Sequence, residues 1–264
     1  MDFGNSRVGR LAAETLAANL GSLSELSIID RDQVRSAAKG TGYSGSLNMS
    51  LSEARNLGSA IGSDFFVLGD SQTLRRSPST GALYFESYAS VFVVSSRTGR
   101  LVMWQRLNSR ASSAEAAEGL LLKDLSSSVF RGGQLAALRR AQDEERTDRE
   151  LAIDSATPVI EAAPDEDTTA GAEGLRLPRP YRRLKPPYPE TAASAEAEAT
   201  VDVLLDLDAK GEVGHVEIAR WAGFGLDEAT VETVKQLHFF PAIRNGTPIP
   251  LRILLRYNFR KPPK

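Results

Sequence analysis

Ile249-Pro250-Leu251-Arg252-Ile253-Leu254-Leu255-Arg256-Tyr257-Asn258-Phe259 is the stretch on which the reading of this chain turns. Ile249, Leu251, Ile253, Leu255, Tyr257 and Phe259 take every odd position, while Arg252, Leu254, Arg256 and Asn258 take even ones. In an extended chain successive side chains point to opposite faces, so this pattern predicts a strand with one buried and one mostly wet face. Moving outward, Asn245-Gly246 is a tight-turn signal and Leu226 to Leu237 reads as a helix. Thr200 to Leu207 alternates with Val201, Val203, Leu205 and Leu207 on one face, and Glu212 to Ala219 returns as its partner strand. Asp208-Ala209-Lys210-Gly211 makes the turn between them, with Gly211 at the position that needs positive φ. The predicted order is β, β, α, β.

The whole chain has 264 residues, enough for two modules. It is 41% hydrophobic and 25% charged, with a net charge of -2, values of ordinary globular protein that give no reason to expect a nucleic-acid partner. The net figure hides a pattern. Lys and Arg against Asp and Glu number 14 and 12 over residues 1–133, 4 and 11 over 134–175, and 14 and 11 over 176–264. Two near-neutral blocks flank an acidic stretch, which predicts domains at 1–133 and 178–264 joined by a charged helix and flexible linker at 134–177. The linker carries Pro158, Pro164 and few large apolar residues. There are no cysteines, which excludes disulfides, Cys-ligated zinc and a thiol nucleophile.

The first block reads as mixed α and β. Val8, Leu11, Ala12, Leu16 and Leu20 recur at helical spacing, with Gly21 as a stop. Leu26 to Ile29 is expected as a short strand, and Asp30 and Asp32 open a helix to Lys39. Leu51, Ala54, Leu57 and Ile61 mark another helix face opened by Ser50 or Ser52. Asp64 to Gly69 is a continuous apolar run, expected as a central strand. Ala82 to Ser96 and Arg100 to Leu107 follow as a strand pair turned at Arg97-Thr98-Gly99. Ala114 to Phe130 is expected as one helix with Ala117, Leu121, Leu125 and Val129 stacked, ended by Gly132-Gly133.

Residues 178–262 resemble the TonB C-terminal domain family. The resemblance rests on an ordered set: Pro187-Tyr188-Pro189-Glu190-Thr191-Ala192 at the entry, Glu198-Ala199-Thr200-Val201-Asp202-Val203 opening the first strand, Asp208 to Val213 at the turn, Gly225-Leu226-Asp227-Glu228-Ala229 opening the helix, and Phe239-Phe240-Pro241-Ala242 at its exit. Ala199 stands where the family usually has Gly, and Leu237 where Trp is common. Residues 1–133 resemble the CsgG family of envelope assembly proteins, or its relatives among flagellar outer-membrane factors. That resemblance is carried by Asp2-Phe3, Ile29-Asp30-Arg31, the run Leu57 to Gly69, and the strand pair turned at Thr98-Gly99-Arg100. The fold class is therefore α+β, with a CsgG-like N-terminal domain and a TonB-like C-terminal domain. If Asp2-Phe3 is the tail of a first strand, the natural start, with a signal peptide or anchor, is expected upstream.

The TonB resemblance implies a periplasmic or envelope protein that binds partner peptides by β-strand addition, linked to energy-dependent transport across the outer membrane. The partner it implies is a TonB-box-like peptide of an outer-membrane receptor. The last strand would lie at a sheet edge, with Ile249, Leu251, Arg252, Ile253, Leu254, Leu255, Arg256, Tyr257 and Asn258 as the binding strand and Tyr188 and Pro189 as the entry motif. Arg252, Arg256 and Asn258 would steer the peptide. The CsgG resemblance implies the alternative, an envelope assembly or secretion subunit that forms homo-oligomers through its N-terminal domain.

No enzyme is expected, and no catalytic, cofactor-binding or metal residue is assigned. Gly40-Thr41-Gly42-Tyr43-Ser44-Gly45 fits Gly-x-Gly-x-x-Gly, but a helix precedes it where a dinucleotide site needs a strand. Ser36-Ala37-Ala38-Lys39 lacks the partner motifs of serine acyl enzymes. His215 and His238 lack companion ligands at metal spacing. Glu196, Glu198, Asp202 and Asp206 are expected on a solvated face, and Tyr84, Tyr88 and Phe92 as packing on one strand face.

Overall fold

The computed structural model describes residues 3–152, 161–162 and 175–261, the backbone alone at 148–152 and 161–162. Two compact units emerge. The first holds Met1–Leu47 and Ser52–Leu151, and the second holds Asn48–Leu51 with Ala152–Lys264. The boundary expected at 133 falls inside a helix that carries the first unit on to Leu151. Most of the expected flexible linker, residues 153–160 and 163–174, lies outside the described residues.

In the first unit, α1 (Arg7–Gly21) begins where the Ser6 hydroxyl accepts from the Gly9 amide at 2.9 Å and donates to the Ser71 carbonyl at 2.7 Å. Its buried stripe includes Val8, Ala12, Leu16 and Leu20, as the spacing predicts. Leu26 to Ile29 forms no regular strand. The Asp30 carboxylate caps α2 (Arg31–Gly40) by accepting from the amides of Asp32 and Gln33. A two-residue strand, β1 (Met49–Ser50), belongs to the second unit. Next, α3 (Leu51–Ile61) leads into the antiparallel strands β2 (Phe65–Arg76), β3 (Tyr84–Ser95) and β4 (Leu101–Ala111), ordered β2-β3-β4.

The apolar run at Asp64–Gly69 is therefore not central among the described strands. β3 is, because hairpins flank it on both sides, and its residues Glu86 to Ser95 are all buried. Ala89 and Val91 pack in one cluster with Val8, Leu16, Leu121 and Leu125. The turn after β3 has Gly99 at φ 73° and is fastened by Glu145, which accepts from Ser95 and from the Arg97 Nε at 2.8 Å.

The helix expected at Ala114–Phe130 is two helices, α4 (Ala114–Leu125) and α5 (Ser128–Ala152). The chain breaks at Ser126 and Ser127, whose side chains bond nearby backbone groups and so compete with the helical ladder. Val129 consequently lies 85% exposed instead of stacking on Leu125. Gly132 and Gly133 do not end the block, because Gln134, Ala137, Leu138 and Ala141 supply a buried helical face beyond them.

The second unit continues with β5 (Glu161–Ala162), β6 (Leu175–Arg176), β7 (Arg179–Pro180), α6 (Glu190–Ala195), β8 (Ala199–Leu207) and β9 (Val213–Trp221). It ends with α7 (Leu226–Val234), β10 (Phe239–Phe240), β11 (Ala242–Arg244), β12 (Thr247–Ile249) and β13 (Leu251–Phe259). The main sheet runs β1-β9-β8-β13-β5. Val201, Val203, Leu205, Leu207, Leu251 and Ile253 share a core with Leu226 and Val234 of α7. Each such burial stabilises by about 1.5–3 kcal/mol. Gly211 has φ 84°, and a Cβ there would lie 1.9 Å from the Phe239 carbonyl oxygen, so both backbone angle and space demand glycine.

The strand expected from Ile249 to Phe259 is divided at Pro250. β12 turns back through Asn245 and Gly246, both at positive φ, to pair with β11, which places Ile249 opposite Ala242 in a smaller sheet. Pro250 has no N–H to carry one ladder through into the next.

Helical Gly58 sits so close to Ser96 that a Cβ would lie 2.5 Å from its Cβ, whereas Gly132 has no neighbour within 4 Å. Alanine favours a helix over glycine by ~1 kcal/mol. Gly132→Ala should therefore raise the melting temperature, while Gly58→Ala should lower stability by about 1–3 kcal/mol through overpacking. Thermal denaturation of both variants checks the contrast.

Candidate functional site

The candidate site is built on β13. Antiparallel pairing runs unbroken from Leu251 opposite Leu207 to Phe259 opposite Ala199. On one face Leu251, Ile253 and Phe259 are buried, with Leu255 and Tyr257 half-buried against the same core. The other face carries the cations. Arg252 grips Asp206 through Nε–Oδ1 at 2.5 Å and Nη2–Oδ2 at 2.8 Å, and Arg256 grips Asp202 at 2.7 and 3.0 Å. The Thr200 hydroxyl donates to the Asn258 Oδ1 at 2.8 Å. Planar guanidinium and carboxylate groups meet here in two parallel bonds each, and the Arg252 bonds hold the Asp206 carboxyl below the usual carboxylate range.

Arg256 and Asn258 are exposed, while Arg252 is half-buried. Asp202 does not lie on a solvated face. It is 5% exposed, because Arg256 and, at 3.5 Å, Arg220 cover and compensate it.

The two sheet edges differ. At one, β1 adds antiparallel to β9, with Met49 opposite Trp221 and Ser50 opposite Arg220. The Asn48 amide fastens it, donating to the carbonyls of Thr200 at 2.8 Å and Trp221 at 2.6 Å and accepting from the Thr200 amide at 3.1 Å. At the other, among the described residues, β13 pairs with the two residues of β5, in parallel, with Arg252 opposite Glu161 and Ile253 opposite Ala162.

The entry pair lies beside the end of β13. The Tyr188 hydroxyl donates to the Ala197 carbonyl at 2.6 Å, its ring lies 6.5 Å from that of Phe259, and Pro189 starts α6. Both fasten the start of the fold.

Asp227, named from the sequence only within the helix-opening motif, is a buried carboxyl. It lies in the first turn of α7, 9% exposed, accepting from the amides of Ala222 at 2.9 Å and Gly223 at 2.8 Å. The available signal was Gly223-Phe224-Gly225 just before it, a loop whose three residues all take positive φ and whose amides need acceptors. Burial pushes its pKa up to about 7, against the downward pull of the two amides.

The remaining candidates do not converge. His238 meets Glu212 at 3.0 Å in an exposed pair, and His215 lies on β9. Among the described residues no group of three His, Cys, Asp or Glu is placed to hold a metal ion. Gly42 and Gly45 lie in a loop after α2, and Ser36 and Lys39 lie on α2 itself. The first unit has an apolar cavity of about 140 Å³ whose lining, including Phe3, Leu16, Ile29 and Phe66, contains one ionisable residue, Arg31. In β3, Phe92 is fully buried, and the Tyr88 hydroxyl donates to Asp70 at 2.8 Å beneath the Arg106 guanidinium.

Residues 185–260 match the family model of the Gram-negative bacterial TonB protein C-terminal. The second unit thus contains a TonB-like domain. Among solved structures, the solution NMR structure of the Pseudomonas aeruginosa TonB CTD matches at 15% identity and a TM-score of 0.30, over 39% of this chain and 96% of that one. The 1.65 Å structure of the hypothetical protein CT253 from Chlamydia trachomatis matches at 13% identity and a TM-score of 0.34, over 48% and 88%. Comparison with curated proteins finds no match. No helix among the described residues is long and apolar enough to cross a membrane.

Asp227 yields a pH prediction. Its folded pKa of about 7 lies above the ordinary 3.8, so the folded state holds the proton more tightly than the unfolded chain does. Its contribution to stability is complete below pH 3.8 and declines as pH rises to about 7. Asp227→Asn should remove this slope from denaturant midpoints and, by orphaning one amide, destabilise by about 1–3 kcal/mol.

Proposed function

We propose that this chain is a TonB-family envelope protein whose C-terminal unit binds an extended segment of an outer-membrane protein by strand addition along β13. The observation that carries this reading is the sheet order. Nine residues of β13 are paired with β8 on one side, and on the other, among the described residues, two residues of β5 pair with it. A strand edge offers backbone N–H and C=O groups to an incoming peptide, and alternate side chains add selectivity. No reactive group is needed. The Arg252–Asp206 and Arg256–Asp202 pairs hold the strand straight and keep the guanidinium groups at the rim, where acidic side chains of a partner find them. Such a grip suits a periplasmic role in energy-dependent transport across the outer membrane.

Site-specific photo-crosslinking of the full chain in Gram-negative envelopes tests this. A photoreactive residue at Asn258 on β13 should give adducts with an outer-membrane protein, and one at Glu217 on β9 should not. Equal labelling at both positions, or at neither, rejects the reading.

A second reading, a CsgG-type assembly subunit, draws on β4. Ten of its eleven residues pair with β3, its one partner among the described strands, leaving an edge for a second copy. Sedimentation of the full chain separates the two: a ring-sized particle supports the assembly subunit, and a monomer at micromolar concentration opposes it.

A further inference from the structure

We propose that the notch where β8 and β9 part is a peptide-binding site that reads an asparagine side chain, that its ligand class is an extended segment with Asn followed by a large apolar residue, and that in this chain residues 48–50 occupy it. The site lies at the margin opposite β13, so the inference does not rest on strand addition there.

The notch comes from a register shift. Asp202 stands opposite Arg220 and Val203 opposite Ile218, so Ala219 is an extra residue on β9. A bulge of this kind bends its strand and interrupts the ladder. The register between the two strands ends at Asp202 and Arg220. Between the strand ends stands the Asn48 side chain. Its Nδ2 donates to the Thr200 carbonyl of β8 at 2.8 Å and to the Trp221 carbonyl of β9 at 2.6 Å, and its Oδ1 accepts from the Thr200 amide at 3.1 Å. One side-chain amide bridges both strands.

That bonding pattern selects asparagine. It asks for two N–H donors and one acceptor on a short side chain. Aspartate has the shape but no donor, and its carboxylate would face two carbonyl oxygens. Serine offers a single donor, and glutamine is one methylene longer.

The surrounding groups take the rest of the segment. Arg220 lies 3.5 Å from Asp202 and donates from Nη1 to the Asn48 carbonyl at 3.1 Å. Met49 stands opposite Trp221, and the two are 4% and 1% exposed, so the second position takes a large apolar side chain. Ser50 stands opposite Arg220 and completes the pairing. Two ladder residues are fewer than an ordinary strand has, which leaves the asparagine contacts to carry recognition. The segment also groups as a ligand would: Asn48–Leu51 belongs to the second unit, while its chain neighbours Leu47 and Ser52 belong to the first.

The test uses the full chain with Asn48→Asp, and with Asn48→Gly as a second variant that adds no charge. Amide exchange at Thr200 should accelerate roughly tenfold in both, while Ile253 on β13 keeps its wild-type rate. A synthetic peptide of residues 45–53, added in excess, should restore Thr200 protection in both variants and leave the wild type unchanged. The same peptide carrying Asn48→Asp should restore nothing. Unchanged Thr200 exchange in the variants overturns the proposal, because the amide then reads nothing. Faster exchange at Ile253 together with Thr200 also overturns it, because the notch is then inseparable from the fold. So does equal rescue by both peptides, which would make the contact strand pairing alone, or rescue by neither.

Discussion

The nine-residue ladder between β8 and β13 is the constraint on which the second unit depends. Its inner face brings Val203 and Leu205 together with Ile253 in the core under α7. Its outer face aligns Asp202 with Arg256 and Asp206 with Arg252, so the charges are cross-strand neighbours. Because side chains alternate with a period of two, a slip of one residue would send the aliphatic residues into water and bury the arginines. Core and ion pairs therefore specify the same register independently.

That ladder also decides what the sheet can do at its margins. Sheet edges invite pairing, and proteins usually blunt them. Here the two margins are treated differently. β9 is closed by β1, whose Asn48 amide bonds backbone groups of both Thr200 and Trp221 and so belongs to the fold. β13 is paired, among the described residues, over two residues by β5.

The first unit solves a different problem. β3 is buried along most of its length, and its polar side chains are paired by groups on the adjacent strands. Glu86 joins Arg76, and Asp70 joins Tyr88 beneath Arg106. Close approach of α3 to the end of β3 depends on Gly58, and the turn that follows depends on Gly99 and on Glu145 from the distant α5.

Local pattern alone determined the alternation of β8 and β13, the helical stripes of α1 and α3, the Gly211 and Asn245-Gly246 turns, and the ordered motif set of the C-terminal domain. Each of these is decided within a few residues, by side-chain periodicity or by a φ angle that only certain residues tolerate. Tertiary structure decided the rest. Pro250 splits the last strand because Ile249 finds its partner in β11, and the run at Asp64–Gly69 is not central because the hairpins place β3 in the middle. α5 runs through Gly132-Gly133 because a buried face lies beyond them, and Asp202 and Asp227 are buried because distant guanidinium groups and loop amides compensate them. The strands at the sheet margins come from residues 49–50 and 161–162, far from their partners along the chain. Periodicity reports which face of a segment is wet, but carries no information about which other segment will lie beside it.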